Sequence, residues 1–172
     1  ISFIIPVLNE AKFIEQTLKT INKSIRLARN IKKFEIIVID DGSNDKIKNK
    51  IDHLKLKYRN IVFAQNKINM GMGFSIKKGI GLSKYKKFMI IPGGNDIGCE
   101  SISSSLKFYN YADLIMQCPL NVEEREKYRN IISRIYSLIY IIFFDCNVYY
   151  INGASIFPLN KVKKLNLKSN RH

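Results

Sequence analysis

The chain has 172 residues, with 29 Lys and Arg against 14 Asp and Glu and a net charge of +15 at neutral pH. That length suits one domain with a substantial core, and three widely spaced cysteines (99, 118 and 146), with only His53 and His172 beside them, offer neither a disulfide framework nor a zinc-ligand spacing and read as reduced thiols. The charge admits anionic headgroups, phosphorylated substrates or nucleic acid as partners, but no dense Lys/Arg block with interleaved aromatics appears, so no nucleic acid is expected.

Ser2 to Val7 reads as a first strand, and Asn9 as the cap of a helix carrying Phe13, Ile14, Thr17, Leu18, Ile21 and Ile25 on one face. Phe34 to Ile39 has the length and β-branching of a strand buried on both faces, and it runs straight into Asp40-Asp41-Gly42-Ser43. Open parallel sheets bind ligands beyond the carboxyl ends of their strands. The two acids therefore form either a turn with a helix cap or the edge of a binding site. Asp45 opens a helix with Ile47, Ile51 and Leu54, and Ile61 to Ala64 is a third strand. The segment "NKINMGMG" leads into a helix through Ile76, Ile80 and Leu82; Phe88 to Ile91 is a fourth strand ending in "PGGND".

A helix from Ile102 to Tyr109 and a short strand from Leu114 to Gln117 follow. Strand-helix alternation of this kind predicts a doubly wound α/β sheet with right-handed crossovers. Beyond Cys118 a polar, charged stretch precedes "IISRIYSLIYIIFF" (131–144), which is too short to span a bilayer. It is either a buried core helix or one lying in a membrane interface. Short strands at Val148 to Ile151 and Ala154 to Phe157 precede a basic helix start. Residues 1–172 read as a single domain and as a fragment of a longer chain.

The first loop excludes two common nucleotide sites. A dinucleotide fold wants G-x-G-x-x-G after strand one and a P-loop wants G-x-x-x-x-G-K-[ST]. Here "PVLNE" (6–10) has no glycine.

"FIIPVLNE" followed about thirty residues later by "EIIVIDDGSND" resembles the opening of a family 2 glycosyltransferase of the GT-A fold. "NKINMGMGFSIKKGI" resembles that family's asparagine-glycine block, and "KKFMIIPGGNDI" lies where the family places its metal-binding D-x-D. "RNIISRIYSLIY" and "YYINGASIFP" resemble later blocks of the polyprenyl-phosphate sugar transferases. The resemblance implies a GT-A, mostly parallel sheet and transfer of a sugar from a nucleotide-sugar donor to a polyprenyl phosphate. It implies a nucleotide pocket of Pro6, Leu8, Glu10, Asp40, Asp41, Asn69 and Gly71, with the contact mainly through Asp41. Arg129, Ser133 and Arg134 are implied to meet the acceptor phosphate at the cytoplasmic face of a membrane. A lipid phosphate oxygen is already anionic, which agrees with the lack of an extra general base in the later half.

The metal position departs from the family pattern. The family aspartate falls on Gly94, leaving Asp96 as the one acid and Asn95 as a neutral oxygen donor for Mg²⁺ or Mn²⁺. Asp96 is also the expected catalytic residue. The alternatives left open are a saccharide or other hydroxyl acceptor, and a nucleotide-sugar-binding protein without catalysis.

Overall fold

The computed structural model describes residues 1–117 and 153–165, so the predicted strand at 148–151, the apolar run at 131–144, and Arg129, Ser133, Arg134, Cys118 and Cys146 lie outside the described residues. Five strands form one sheet: β1 (Ser2–Val7), β2 (Glu35–Asp40), β3 (Ile61–Gln65), β4 (Lys87–Ile90) and β5 (Ile156–Pro158). Their order is β3-β2-β1-β4-β5, parallel except for β5, which runs antiparallel to β4. Helices α1 (Ile14–Ala28), α2 (Ile47–Lys57), α3 (Met72–Leu82), α4 (Cys99–Lys107) and α5 (Leu159–Lys163) complete the described chain. The segment expected as a strand at 114–117 contributes only a bridge from Ile115 to Ile156.

The central strands carry apolar residues on both faces because both faces are covered. Phe3, Ile5, Ile36 and Val38 pack with Leu18, Ile21, Ile51 and Ile102 of α1, α2 and α4 in the larger core. Ile4 and Phe88 pack with Ile80 and Leu159 of α3 and α5 on the other side. Each fully buried isoleucine contributes about 1.5–3 kcal/mol from burial, which is why six consecutive buried residues in β1 and in β2 fix the sheet centre. Glu35, buried at the start of β2, accepts from Ser2 Oγ at 2.7 Å and Lys84 N–H at 2.7 Å, so its charge is matched rather than stranded.

Two expected helix caps do other work. α1 begins only at Ile14, after Asn9 has taken a left-handed φ of 57°, and α2 begins after Lys46. Asn9 N–H donates to Ser43 Oγ at 2.8 Å, its Oδ1 accepts from Asn44 N–H at 2.9 Å, and Asp45 Oδ2 accepts from Ala11 N–H at 2.7 Å. These polar side chains stitch the β1–α1 loop to the β2–α2 loop at the carboxyl edge of the sheet. A local sequence rule assigns them to their own helices; the parallel neighbours β1 and β2 bring the two loops close enough to share them. Among the described residues no helix is long and apolar enough to cross a membrane.

Two glycines of α3 give opposite expectations. A Cβ on Gly79 would collide with the buried Ile4 side chain, whereas one on Gly81 meets nothing within 4 Å. Gly79→Ala should therefore destabilise by about 1–3 kcal/mol through overpacking. Gly81→Ala should stabilise by roughly 0.5–1 kcal/mol through helix propensity. Urea unfolding of the two variants checks both signs.

Candidate functional site

The four parallel strands deliver their following loops to one edge, and there a cavity of about 310 Å³ opens. Pro6, Val7, Leu8 and Glu10 line it from the end of β1 and its loop, and Asp41 from the end of β2. Asn69, Gly71 and Met72 close it from the β3–α3 loop, and Pro92 and Gly93 from the β4–α4 loop. The volume is at the small end for a small-molecule site. Of the seven residues expected around a nucleotide, six share this lining.

Asp40 is the exception and is a correction. Successive residues at the end of a strand face opposite ways, and the two acids part accordingly. Asp40 is fully buried; its Oδ1 accepts from Ser43 N–H at 2.9 Å and its Oδ2 from Gln65 Nε2 at 2.8 Å. It shapes the turn and does not reach the cavity.

Asp41 turns the other way and anchors the β3–α3 loop. Its Oδ1 accepts from Asn66 Nδ2 at 2.7 Å and Met70 N–H at 3.0 Å, and its Oδ2 from Gly71 N–H at 2.8 Å. Asn66 is itself buried, and its Oδ1 accepts from Lys78 Nζ at 2.8 Å. A lysine on α3 thus fixes the amide orientation of Asn66, which fixes the carboxylate of Asp41. Lone-pair capacity remains on Asp41 Oδ2 for a donor in the cavity. Gly42 permits the arrangement: its φ is 82°, and a Cβ there would lie 2.6 Å from the backbone carbon of Ile68. Gly71, with φ of 91°, makes the second left-handed turn that sends the chain into α3.

Glu10 faces the β4–α4 loop, and its Oε2 is buried without a hydrogen-bond partner among the described residues. Burial, and then the negative charges of Asp96 and Asp45, push its carboxyl above the usual range. Gly93 leaves the room this carboxylate occupies, since a Cβ there would collide with Glu10 and Val7.

The expected metal ligands separate. Asp96 is exposed, but Asn95, held at a left-handed φ of 64°, turns its Oδ1 to accept from Thr20 Oγ1 of α1 at 2.9 Å. Asn95 thereby also ties the β4–α4 loop to α1. A Cβ on Gly94 would lie 2.9 Å from Asp96 Oδ2 and 3.2 Å from Glu10 Oε1, so two carboxylates flank the place of the family aspartate. Among the described residues no group of three or more His, Cys, Asp or Glu is placed to hold a metal. The side chains alone make a poor cation site.

Sequence reasoning missed Asn66 and Lys78, whose importance lies only in the contact with Asp41. Pro92 and Gly93 were within reach, because they belong to the same "PGGND" turn as Asp96.

A mostly parallel sheet whose strand-end loops wall a cavity is a doubly wound α/β architecture, and its structural neighbours are GT-A glycosyltransferases. Residues 2–91 match the sequence family described as glycosyl transferase family 2, more than half of the chain, and the chain belongs to that family. It is 26% identical over 149 residues to the dolichyl-phosphate beta-glucosyltransferase ALG5D of Trichomonas vaginalis, covering 80% of this chain and 45% of that one. It is 27% identical over 113 residues to the poly(ribitol-phosphate) beta-glucosyltransferase of Bacillus spizizenii, covering 65% and 17%. The chain thus spans less than half the length of these relatives.

Solved structures share the fold. Residues 1–349 of S. aureus TarS in complex with UDP superpose with a TM-score of 0.63 at 18% identity, covering 94% of this chain and 47% of that one. The mannosyltransferase PcManGT of Pyrobaculum calidifontis, in complex with GDP-Man and Mn²⁺, gives 0.67 at 13% identity, covering 97% and 47%.

Two outcomes are expected of the site itself. Asn66→Ala removes the buried amide between Lys78 and Asp41 and should cost about 1–3 kcal/mol in denaturant unfolding. For Glu10 the folded carboxyl holds its proton to higher pH than the unfolded one. Its contribution is therefore full at low pH and lost as pH rises through the raised folded value. Glu10→Gln should raise the thermal midpoint at pH 7, and the difference should vanish below about pH 4, where either side chain is neutral.

Proposed function

We propose that this chain is the donor-binding domain of an enzyme that transfers a sugar from a nucleoside-diphosphate sugar to a polyprenyl phosphate at the cytoplasmic face of a membrane. The observation that carries the donor half is the placing of Asp41 in a cavity at the carboxyl edge of the sheet, with its carboxylate oriented by Asn66. A carboxylate there can accept from a base N–H or a ribose hydroxyl. Pro6 and Leu8 offer apolar surface to the base and sugar, while Met72 brings the amino end of α3 to the cavity wall. A helix amino end favours phosphate.

In the proposed reaction an oxygen of the acceptor phosphate bonds to the anomeric carbon as the bond from that carbon to the donor diphosphate breaks. The diphosphate leaves with the electron pair. An anionic acceptor oxygen needs no base, so the chain's own task is to bind, align and neutralise. Asp96 is the residue assigned to the reacting end of the donor. Arg129, Ser133 and Arg134 are assigned to the acceptor phosphate, where arginine suits bidentate contact. A cation, Mg²⁺ or Mn²⁺, would rest on Asp96 and on the donor's own diphosphate oxygens, and when bound would offset the leaving-group charge. Support for the acceptor comes from relatives named as dolichyl-phosphate glucosyltransferases, at 26% and 33% identity.

Gly94 favours a second reading, a nucleotide-sugar-binding protein without catalysis. The relative that acts on poly(ribitol-phosphate) keeps a hydroxyl acceptor in view. Radiolabelled transfer from UDP- and GDP-sugars to polyprenyl phosphate and to a polyol phosphate separates the three readings. Label in the lipid fraction supports the proposal. Label in the polyol alone, or none with intact donor binding, replaces it.

Calorimetric titration of UDP and GDP should lose about 1–3 kcal/mol with Asp41→Asn, roughly five- to 150-fold in affinity. Unchanged affinity in the folded variant removes Asp41 from the nucleotide. Mn²⁺ and nucleotide should each tighten the other, and Gly94→Asp should strengthen that coupling. Affinity indifferent to Mn²⁺, Mg²⁺ and chelator would refute the cation.

A further inference from the structure

A second concavity lies at the opposite end of the sheet. α1 runs back from the donor cavity toward the amino edge, and Tyr58 to Asn60 join α2 to the start of β3 at that same edge. Between them is an open groove of about 680 Å³ lined by Lys19, Lys23 and Arg26 of α1 and by Lys57, Tyr58 and Arg59. The α1 cations recur at intervals of four and three residues, one stripe about 10 Å long. Among the described residues no carboxylate lines the groove.

Helix-end electrostatics accounts for part of this. Arg26 and Lys57 stand in the last turns of α1 and α2, where a cation is favoured. Lys19 is paired with Glu15 at 3.1 Å. Neither reason covers Lys23 or Arg59, which are exposed and have no ion pair among the described residues. Five cations around one groove, the three on α1 within about a Debye length of one another, repel each other. Two guanidinium groups match phosphate geometry in a way that ammonium groups alone do not. Tyr58 adds a half-buried ring whose face Lys57 already overlies, at 5.5 Å from the centroid.

We propose that this amino-edge groove is a binding site for a run of phosphate groups, distinct from the donor cavity at the carboxyl edge. The ligand is recognised by its spaced phosphate charges, presented either on a soluble chain or on the headgroups of a bilayer. The site keeps such a ligand on the far side of the sheet from Asp41, so both can be held at once. It stands whether or not the donor reading does.

The test compares two equal changes of charge. Lys23→Gln with Arg26→Gln neutralises two groove cations. Lys163→Gln with Lys164→Gln neutralises two exposed lysines at α5, on the other face of the sheet. Each protein is titrated with short-chain inorganic polyphosphate and, separately, with vesicles of phosphatidylcholine doped with phosphatidylglycerol. The groove pair should lose about tenfold or more in affinity, and its log-affinity against log-salt slope should shrink by about two. The α5 pair should change little. Loss confined to the polyphosphate arm makes the ligand a soluble chain; loss confined to the vesicle arm makes it a headgroup surface. Equal losses from both pairs reduce the effect to net charge and overturn the site, as does absence of binding in both arms. Circular dichroism and thermal midpoints confirm that the variants fold.

Discussion

The carboxylate of Asp41 is the contact on which the candidate site depends. It follows the last residue of β2, receives two backbone N–H groups of the β3–α3 loop, and is clamped by Asn66, whose own oxygen is held by Lys78. One buried acid therefore decides where a loop of the neighbouring strand closes and where α3 begins. A buried carboxylate without such partners would be costly and would protonate or leave the interior. Satisfied, it becomes a rigid wall. The same bonds that hold the carboxylate at the cavity wall also hold the β3–α3 loop, so a simple deletion disturbs both.

The carboxyl edge is built by borrowing. Asn9, Ser43 and Asp45 each bond across loops rather than within their own, and Asn95 reaches α1 through Thr20. Polar side chains that would cap isolated helices are used to pin adjacent loops together above a core of buried isoleucines. This suits an edge that must hold several loops in register around one cavity, where a misplaced loop would open the pocket rather than unfold the sheet. It also leaves Glu10 Oε2, beside Gly93, and Asp45 Oδ1 as buried oxygens with no hydrogen-bond partner among the described residues.

The two ends of the sheet differ in charge as well as shape. At the carboxyl edge, acids gather against glycine-bearing turns; at the amino edge, cations line an open groove with no acid among its described residues. Among the described residues the linings of these two concavities therefore differ in sign, and the direction of the parallel strands places them at opposite edges. Among the four parallel strands each βα loop lands at one edge and each αβ loop at the other, so residues far apart in sequence collect into two chemically opposed surfaces.

Much of this was legible in residue order. The β-branched runs of β1 and β2, their spacing and the apolar stripe of α1 determine a parallel sheet covered on both faces, because only burial on both sides rewards such runs. "PVLNE", "DDGS" and "NMG" identify three of the four segments that line the cavity, since a parallel sheet puts all strand ends on one side. What the sequence could not decide was direction and partnership. Whether Asp40 or Asp41 faces the cavity turns on a half-step of strand alternation at a strand end. Whether Asn9, Asp45 and Asn95 cap, ligate or brace turns on loops supplied by other strands. Asn66 and Lys78 acquire meaning only through distances of under 3 Å to groups many residues away. Local patterns report what a residue can bond; the packed sheet decides which partner arrives within reach.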